Sequence, residues 1–285
     1  MRCLYSLMLA VWLAAPWSGR AHGDLHDQMA SVTGQIQQEP ANAVLYLKRG
    51  ELHRAHGDWD DALADYDQAA RLVRDGTDLD FFRGRLLLEA HRAKSARACL
   101  DRFLARQPDH AEALIVRARV LFQLGEGLAA AADFNRALGR LAEPKPDYYL
   151  ERAQALISAG DARLEEAVRG LDEGMKRLGP LIALQLRAID LEVARKNFAG
   201  ALLRLDTVLE QSPRRETWLA RRGEILLKAG RGQEAREAFD RALKTIESLP
   251  VNSRKTRAML ALENRVRSAL GTPLAAANTA ENTAE

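Results

Sequence analysis

The feature that most constrains this chain is a repeat. Small residues recur at Ala62, Ala96, Ala130, Ala167, Ala201 and Ala235, at intervals of 34, 34, 37, 34 and 34. A second set stands twelve residues earlier in five cases, at Gly50, Gly84, Ala118, Ile189 and Gly223. In the fourth unit Ala153 precedes Ala167 by fourteen, so two extra residues enter the turn after Gly160. The third extra residue falls near the Glu143-Pro144-Lys145-Pro146 stretch. A fixed period held six times implies stacked units, each burying its apolar face against the next.

Each period holds two amphipathic helices. In the first unit Tyr46, Gly50 and His53 lie on one helix and Ala62, Tyr66 and Ala69 on the next, with Gly57-Asp58-Trp59 between them. Apolar or small residues three and four apart form the buried stripe of a helix. Gly50 paired with Ala62 is expected to let the two helices approach, and a longer side chain there to cost about 1–3 kcal/mol by overpacking. Gly57, Gly125, Gly160 and Gly230 stand where a helix must stop. Pro40, Pro108, Pro180 and Pro213 end the second helix of a unit, because proline cannot continue one. The composition agrees: helix-forming Ala, Leu, Arg and Glu abound, and aromatics make up only 6%.

The set Tyr46, Gly50, Gly57, Trp59, Ala62, Tyr66 and Ala69, with Pro40 closing the preceding half-unit, resembles the tetratricopeptide repeat (TPR). The resemblance covers roughly residues 43–247. It implies an all-α, right-handed α-solenoid of about six TPR helix-turn-helix units with capping helices at both ends. Three positions depart from the pattern: Ile189 replaces a small residue, Lys196 a turn glycine and Arg74 a closing proline.

Stacked units expose an apolar face at each end and need covers. Leu25, Met29, Val32 and Ile36 line one side of a capping helix over 24–40, with Asp24 as its expected N-cap. The repeats fill 41–250. A second capping helix within 251–271, running from Ser253 to Leu270, carries Met259, Leu260, Leu262 and Val266. The tail 272–285 has no apolar period and is expected to be disordered.

Residues 1–23 read as a cleavable signal peptide. Arg2 precedes an apolar run of 12 residues from Leu4 to Ala15, then Pro16 and small residues at Gly19, Ala21 and Gly23. Crossing a membrane takes about 20 apolar residues, so no stable membrane insertion is expected. The expected location is periplasmic or secreted, with cleavage after Ala21 or Gly23. Removing Arg2 and Arg20 from the 42 basic residues leaves about 40 against 39 acidic ones. That balance gives no reason to expect a nucleic-acid partner or an anionic membrane. Cys99 is then the only cysteine, expected to be a small buried helix residue.

The resemblance implies a protein or peptide partner held on the face made by the first helices. The residues it points to are Leu47, Glu51, Phe81, Arg85, Ile115, Arg119, Phe122, Leu150 and Gln154. The same face includes Arg54, Asp78, Glu112, Asp147, Leu186, Asp190, Ala220 and Glu224. Arginine's planar fork suits a carboxylate, so Arg85 and Arg119 either receive a ligand carboxylate or pair with Asp78 and Glu112 as surface bridges. The family's chaperone clamp of lysines and asparagines is not supported, since Leu47, Glu51 and Phe82 occupy comparable places. Arg49, Arg83, Arg117, Arg152 and Arg222 form a second row, read as stems packed between helices with heads on local acids rather than as an anion ladder.

His22 and His26, at the mature amino terminus, could chelate copper or nickel through imidazole and amine nitrogens. An accessory role in metal handling is therefore the alternative to an adaptor. His53 and His56 can share a helix face, but no acid or further histidine stands at matching helical spacing, so little points to a metal there. No nucleotide-binding glycine loop, nucleophile motif or Cys/His cluster occurs, so neither an enzyme nor a cofactor is expected.

Overall fold

The computed structural model describes residues 18–73 and 78–271, with side chains from residue 24 onward. The signal-peptide residues 1–17, Arg74 and the tail 272–285 lie outside the described residues. The chain forms two compact units that divide between Pro108 and Asp109.

The first unit contains α1 (Ser18–Gln38), then the pair α2 (Ala43–His56) and α3 (Trp59–Leu72), then α4 (Leu79–Glu89) and α5 (Ala93–Arg106). The second contains four pairs: α6 (Ala111–Gln123) with α7 (Gly127–Arg140), α8 (Pro146–Ser158) with α9 (Leu164–Leu178), α10 (Ile182–Ala194) with α11 (Phe198–Gln211), and α12 (Glu216–Lys228) with α13 (Gly232–Glu247). It closes with α14 (Val251–Arg254) and α15 (Arg257–Gly271). Within each unit the helices stack as helix-turn-helix repeats, the architecture of an all-α solenoid. No helix among the described residues is long and apolar enough to cross a membrane.

The turn glycines at 57, 125, 160 and 230 all have positive φ, which costs glycine nothing. At the two corners without one, His91 (φ 56°) and Lys196 (φ 58°) take the left-handed conformation themselves. The fourth repeat absorbs its two extra residues as a single 3-10 turn, Asp161–Arg163, directly after Gly160.

The close approach of paired helices depends on a residue sixteen positions further on. A Cβ at Gly50 would lie 2.6 Å from the Tyr66 ring, nearer than the 3.3 Å to the Ala62 carbonyl oxygen. At Gly84 and Gly223 it would meet Leu100 at 2.5 Å and Phe239 at 2.6 Å. Tyr66, Leu100 and Phe239 are almost fully buried, so the glycine makes room for the large side chain facing it.

Both ends depart from the sequence expectation. Helix α1 begins at Ser18 and runs through Asp24, which therefore lies inside a helix and caps nothing. Met29, Val32 and Ile36 are its buried residues, as a cover requires. The expected single closing helix is two helices. Thr256 breaks it, its hydroxyl accepting from the Met259 amide at 3.4 Å to start α15, whose Met259, Leu262 and Val266 are buried.

Candidate functional site

The first helices of successive repeats present a row of half-exposed polar pairs, one repeat apart. In the first unit Arg85 Nη2 donates to Glu51 Oε2 at 2.6 Å, and Arg54 Nη1 to both Glu89 oxygens at 2.8 Å. In the second unit Arg119 grips Glu151 at 2.7 and 2.8 Å, Arg187 donates to Gln154, and Arg221 donates to Asp190 at 2.8 Å. Burial alone would raise the Glu51 carboxyl, but the Tyr66 hydroxyl and the Arg85 and Arg54 guanidiniums hold it below its ordinary value.

These partners differ from the sequence expectation. Asp78 accepts from Gln107 at 3.1 Å, and Arg85 and Arg119 bond Glu51 and Glu151, each on a neighbouring repeat, in place of Asp78 and Glu112. Aromatic rings flank both arginines. Arg85 Cζ lies 5.7 Å from the Phe81 ring centre and 5.5 Å from that of Phe82, and Arg119 Cζ lies 5.9 Å from that of Tyr148.

Of the nine groove residues, the structure draws two into the interior. Phe81 is buried with its ring 5.5 Å from Phe103, and Ile115 is buried within the run Ala113–Val116. Leu47 is half-buried against the Tyr66 and Leu86 cluster, and Leu150 is half-buried as well. Glu51, Arg85 and Arg119 are partly exposed in the pairs above, while Phe122 and Gln154 are exposed.

A cavity of about 260 Å³ opens farther along, between α10 and α12. Leu186, Ile189 and Trp218 form its apolar wall, and Asp190, Arg221 and Arg265 supply charge. Leu186, Asp190, Ala220 and Glu224 were expected on this face, whereas Trp218, Arg221 and Arg265 were not singled out. Arg265 comes from the closing helix, so repeat periodicity carries no signal for it.

The second arginine row is structural. Arg49 clamps Asp65 with Nε at 2.8 Å and Nη2 at 2.7 Å, and Arg117 clamps Asp133 at 2.6 and 2.8 Å. Arg83 bonds Asp67 and Arg222 bonds Asp206, each on the second helix of the preceding repeat. Arg152 bonds Asn135 and the Gly170 carbonyl at 2.7 Å and Glu173 at 2.8 Å. Asp65 and Asp133 are only 6% exposed, so these pairs belong to the interior. The half-exposed face pairs are of the kind worth about 0.2–1 kcal/mol, so their arginines are the ones a partner's charges can engage.

The histidines meet across a corner. His53 and His56 end α2, Gly57 turns the chain, Asp58 stands at the N-cap of α3 and Asp61 in its first turn. Asp58 Oδ2 lies 3.4 Å from His53 Nδ1 and 2.9 Å from His56 Nδ1. The His26 ring stands edge-on to that of His56 with centres 4.7 Å apart. The acids that sequence spacing did not supply to His53 and His56 thus arrive from the next helix.

Several solved structures share this fold. A tetratricopeptide repeat protein from Parabacteroides merdae is 21% identical over 88% of this chain and 95% of its own, with a TM-score of 0.52. The C-terminal part of a TPR repeat-containing protein from Cytophaga hutchinsonii is 12% identical over 88% of this chain and 96% of its own, at 0.67. PilW, a widely conserved type IV pilus biogenesis factor, is 21% identical over 68% of this chain and 88% of its own, at 0.53. No curated protein sequence matches. The family profile described as "Tetratricopeptide repeat" matches residues 47–94, 81–148 and 186–250, more than half of the chain. With that match and six helix-turn-helix pairs along its length, this chain belongs to the tetratricopeptide-repeat family.

Proposed function

We propose that this chain is a non-catalytic adaptor or scaffold of the periplasm or cell envelope, binding a protein or peptide on its first-helix face. The observation that carries this reading is the cavity between α10 and α12. At about 260 Å³ it has room for one apolar anchor side chain of a peptide. Trp218 and Leu186 would receive the anchor, and Asp190, Arg221 and Arg265 would meet charges flanking it. The location rests on the sequence alone, on Arg2 and the apolar run from Leu4 to Ala15.

Capture from an envelope extract tests the reading, with the parent and an Asp190→Lys/Arg221→Glu variant side by side. A partner held by the parent and lost by the variant supports it; equal retention counts against this face. A second reading, an accessory role in metal handling, draws support from His26 lying against His56.

A further inference from the structure

We propose that the α2–α3 corner of the first repeat is a binding site for a divalent transition-metal ion of the zinc class, with His53, Asp58 and Asp61 as ligands and His56 as a further donor. One nitrogen or oxygen from each of His53, Asp58 and Asp61 lies within 4.8 Å of the other two. Bonds of about 2.0–2.2 Å to one ion place neighbouring ligand atoms about 3.0–3.5 Å apart, so closing the set needs only small side-chain rotations. The two imidazole contacts to Asp58, at 2.9 and 3.4 Å, already span about that separation. Imidazole with carboxylate is a donor set for zinc and similar borderline ions, and no thiolate is present to favour a softer one.

Two further observations favour a site over an ordinary polar corner. The first is charge. Nearby Asp65 is held by Arg49 and Asp60 by Arg92, both within 2.8 Å, and Asp65 also lies 3.9 Å from His53 Nε2. Asp58, in contrast, faces two imidazoles, and Asp61 meets Arg49 only as a longer-range attraction. The second comes from the other repeats. Positions equivalent to His53 in the second, third and sixth repeats hold Leu87, Leu121 and Leu226, all buried. Those equivalent to His56 hold Ala90, Leu124 and Ala229. The fifth repeat holds Glu192, which is buried, and Arg195 there, with Glu192 accepting from Asn197 at 2.8 Å. A polar corner is therefore compatible with the fold, but the first repeat alone sets two imidazoles against two carboxylates. The turn is also fixed: Gly57 has φ 96°, and the amides of Gly57 and Asp58 both donate to the His53 carbonyl at 2.9 Å. Ligands on two helix ends joined by so short a turn lose little freedom on binding.

This site does not depend on the adaptor reading, and its test reads metal rather than partner. The full chain is titrated with Zn²⁺ by calorimetry alongside three variants: His53→Leu, Asp61→Asn, and a His22→Ala/His26→Ala double. Leucine is what the second, third and sixth repeats carry at the equivalent of His53, and Asp61 is exposed, so both single variants should keep the fold, which circular dichroism checks. The proposal expects one equivalent of Zn²⁺, weakened by at least about tenfold in each single variant and within about threefold of the parent in the double. Absence of stoichiometric binding overturns it, as does parent-like binding by either single variant. Loss in the double variant also overturns it, and assigns the metal to the amino terminus.

Discussion

Arg117 and Asp133 join the first and second helices of the third repeat through two parallel hydrogen bonds, at 2.6 and 2.8 Å, with the carboxylate only 6% exposed. Removing one partner of so buried a pair leaves the other charge uncompensated. Asp133→Ala is expected to cost about 3–5 kcal/mol, whereas Asp60→Ala, which breaks the exposed bridge to Arg92, should cost under about 1 kcal/mol. Urea denaturation of the two variants checks the contrast.

The glycines divide in the same way. A Cβ at Gly50 would stand 2.6 Å from the Tyr66 ring, while one at Gly34, four residues before the end of α1, meets nothing within 4 Å. Gly50→Ala is expected to destabilise by about 1–3 kcal/mol through overpacking. Gly34→Ala should stabilise by about 0.5–1 kcal/mol, because alanine gives up less backbone freedom in a helix. Thermal melts of both variants would show opposite shifts.

The closing helix carries an acid-sensitive contact. Hydrogen bonds from Arg254 and then Arg267 bring the Glu263 carboxyl down to about 2 from its ordinary 4.5. A carboxyl depressed on folding contributes stability that is complete above about pH 4.5 and lost as pH falls toward 2. The stability gap between parent and Glu263→Gln is therefore expected to be open at pH 6 and to close across that window. Denaturant midpoints of both proteins at pH 6, 4 and 2.5 measure it.

Cys99 is buried, and burial raises its thiol above the ordinary value even though Arg102 lies against the sulfur at 3.4 Å. Only the thiolate alkylates, so modification of the Cys99 peptide by iodoacetamide at pH 8 should be slow in the native chain and fast in denaturant. Peptide mapping by mass spectrometry follows it directly.

The six pairs were legible because the small second-helix residues return every 34 residues, with a single interval of 37. The arginine row was legible for the same reason, since Arg49 and Arg117 each find an acid sixteen residues on. The face itself was harder to read. Helix α6 buries Ala113, Leu114, Ile115 and Val116 in succession, so more than one of its sides is covered and helical spacing cannot isolate the exposed stripe. Phe81 was drawn inward by Phe103, a contact between the two helices of its repeat that spacing along one helix does not reveal. The histidine corner shows the same limit: Asp58 and Asp61 approach His53 only because the chain reverses at Gly57.

The central claim is that partners bind on the first-helix face, and site-specific photocrosslinking in the envelope tests it most directly. A crosslinking residue is placed at Thr217 on the cavity lining and, separately, at Leu203, which is 72% exposed on the second helix α11. The account predicts a discrete adduct from position 217 that Asp190→Lys abolishes, and none from position 203. Adducts from position 203 with none from position 217 would contradict it.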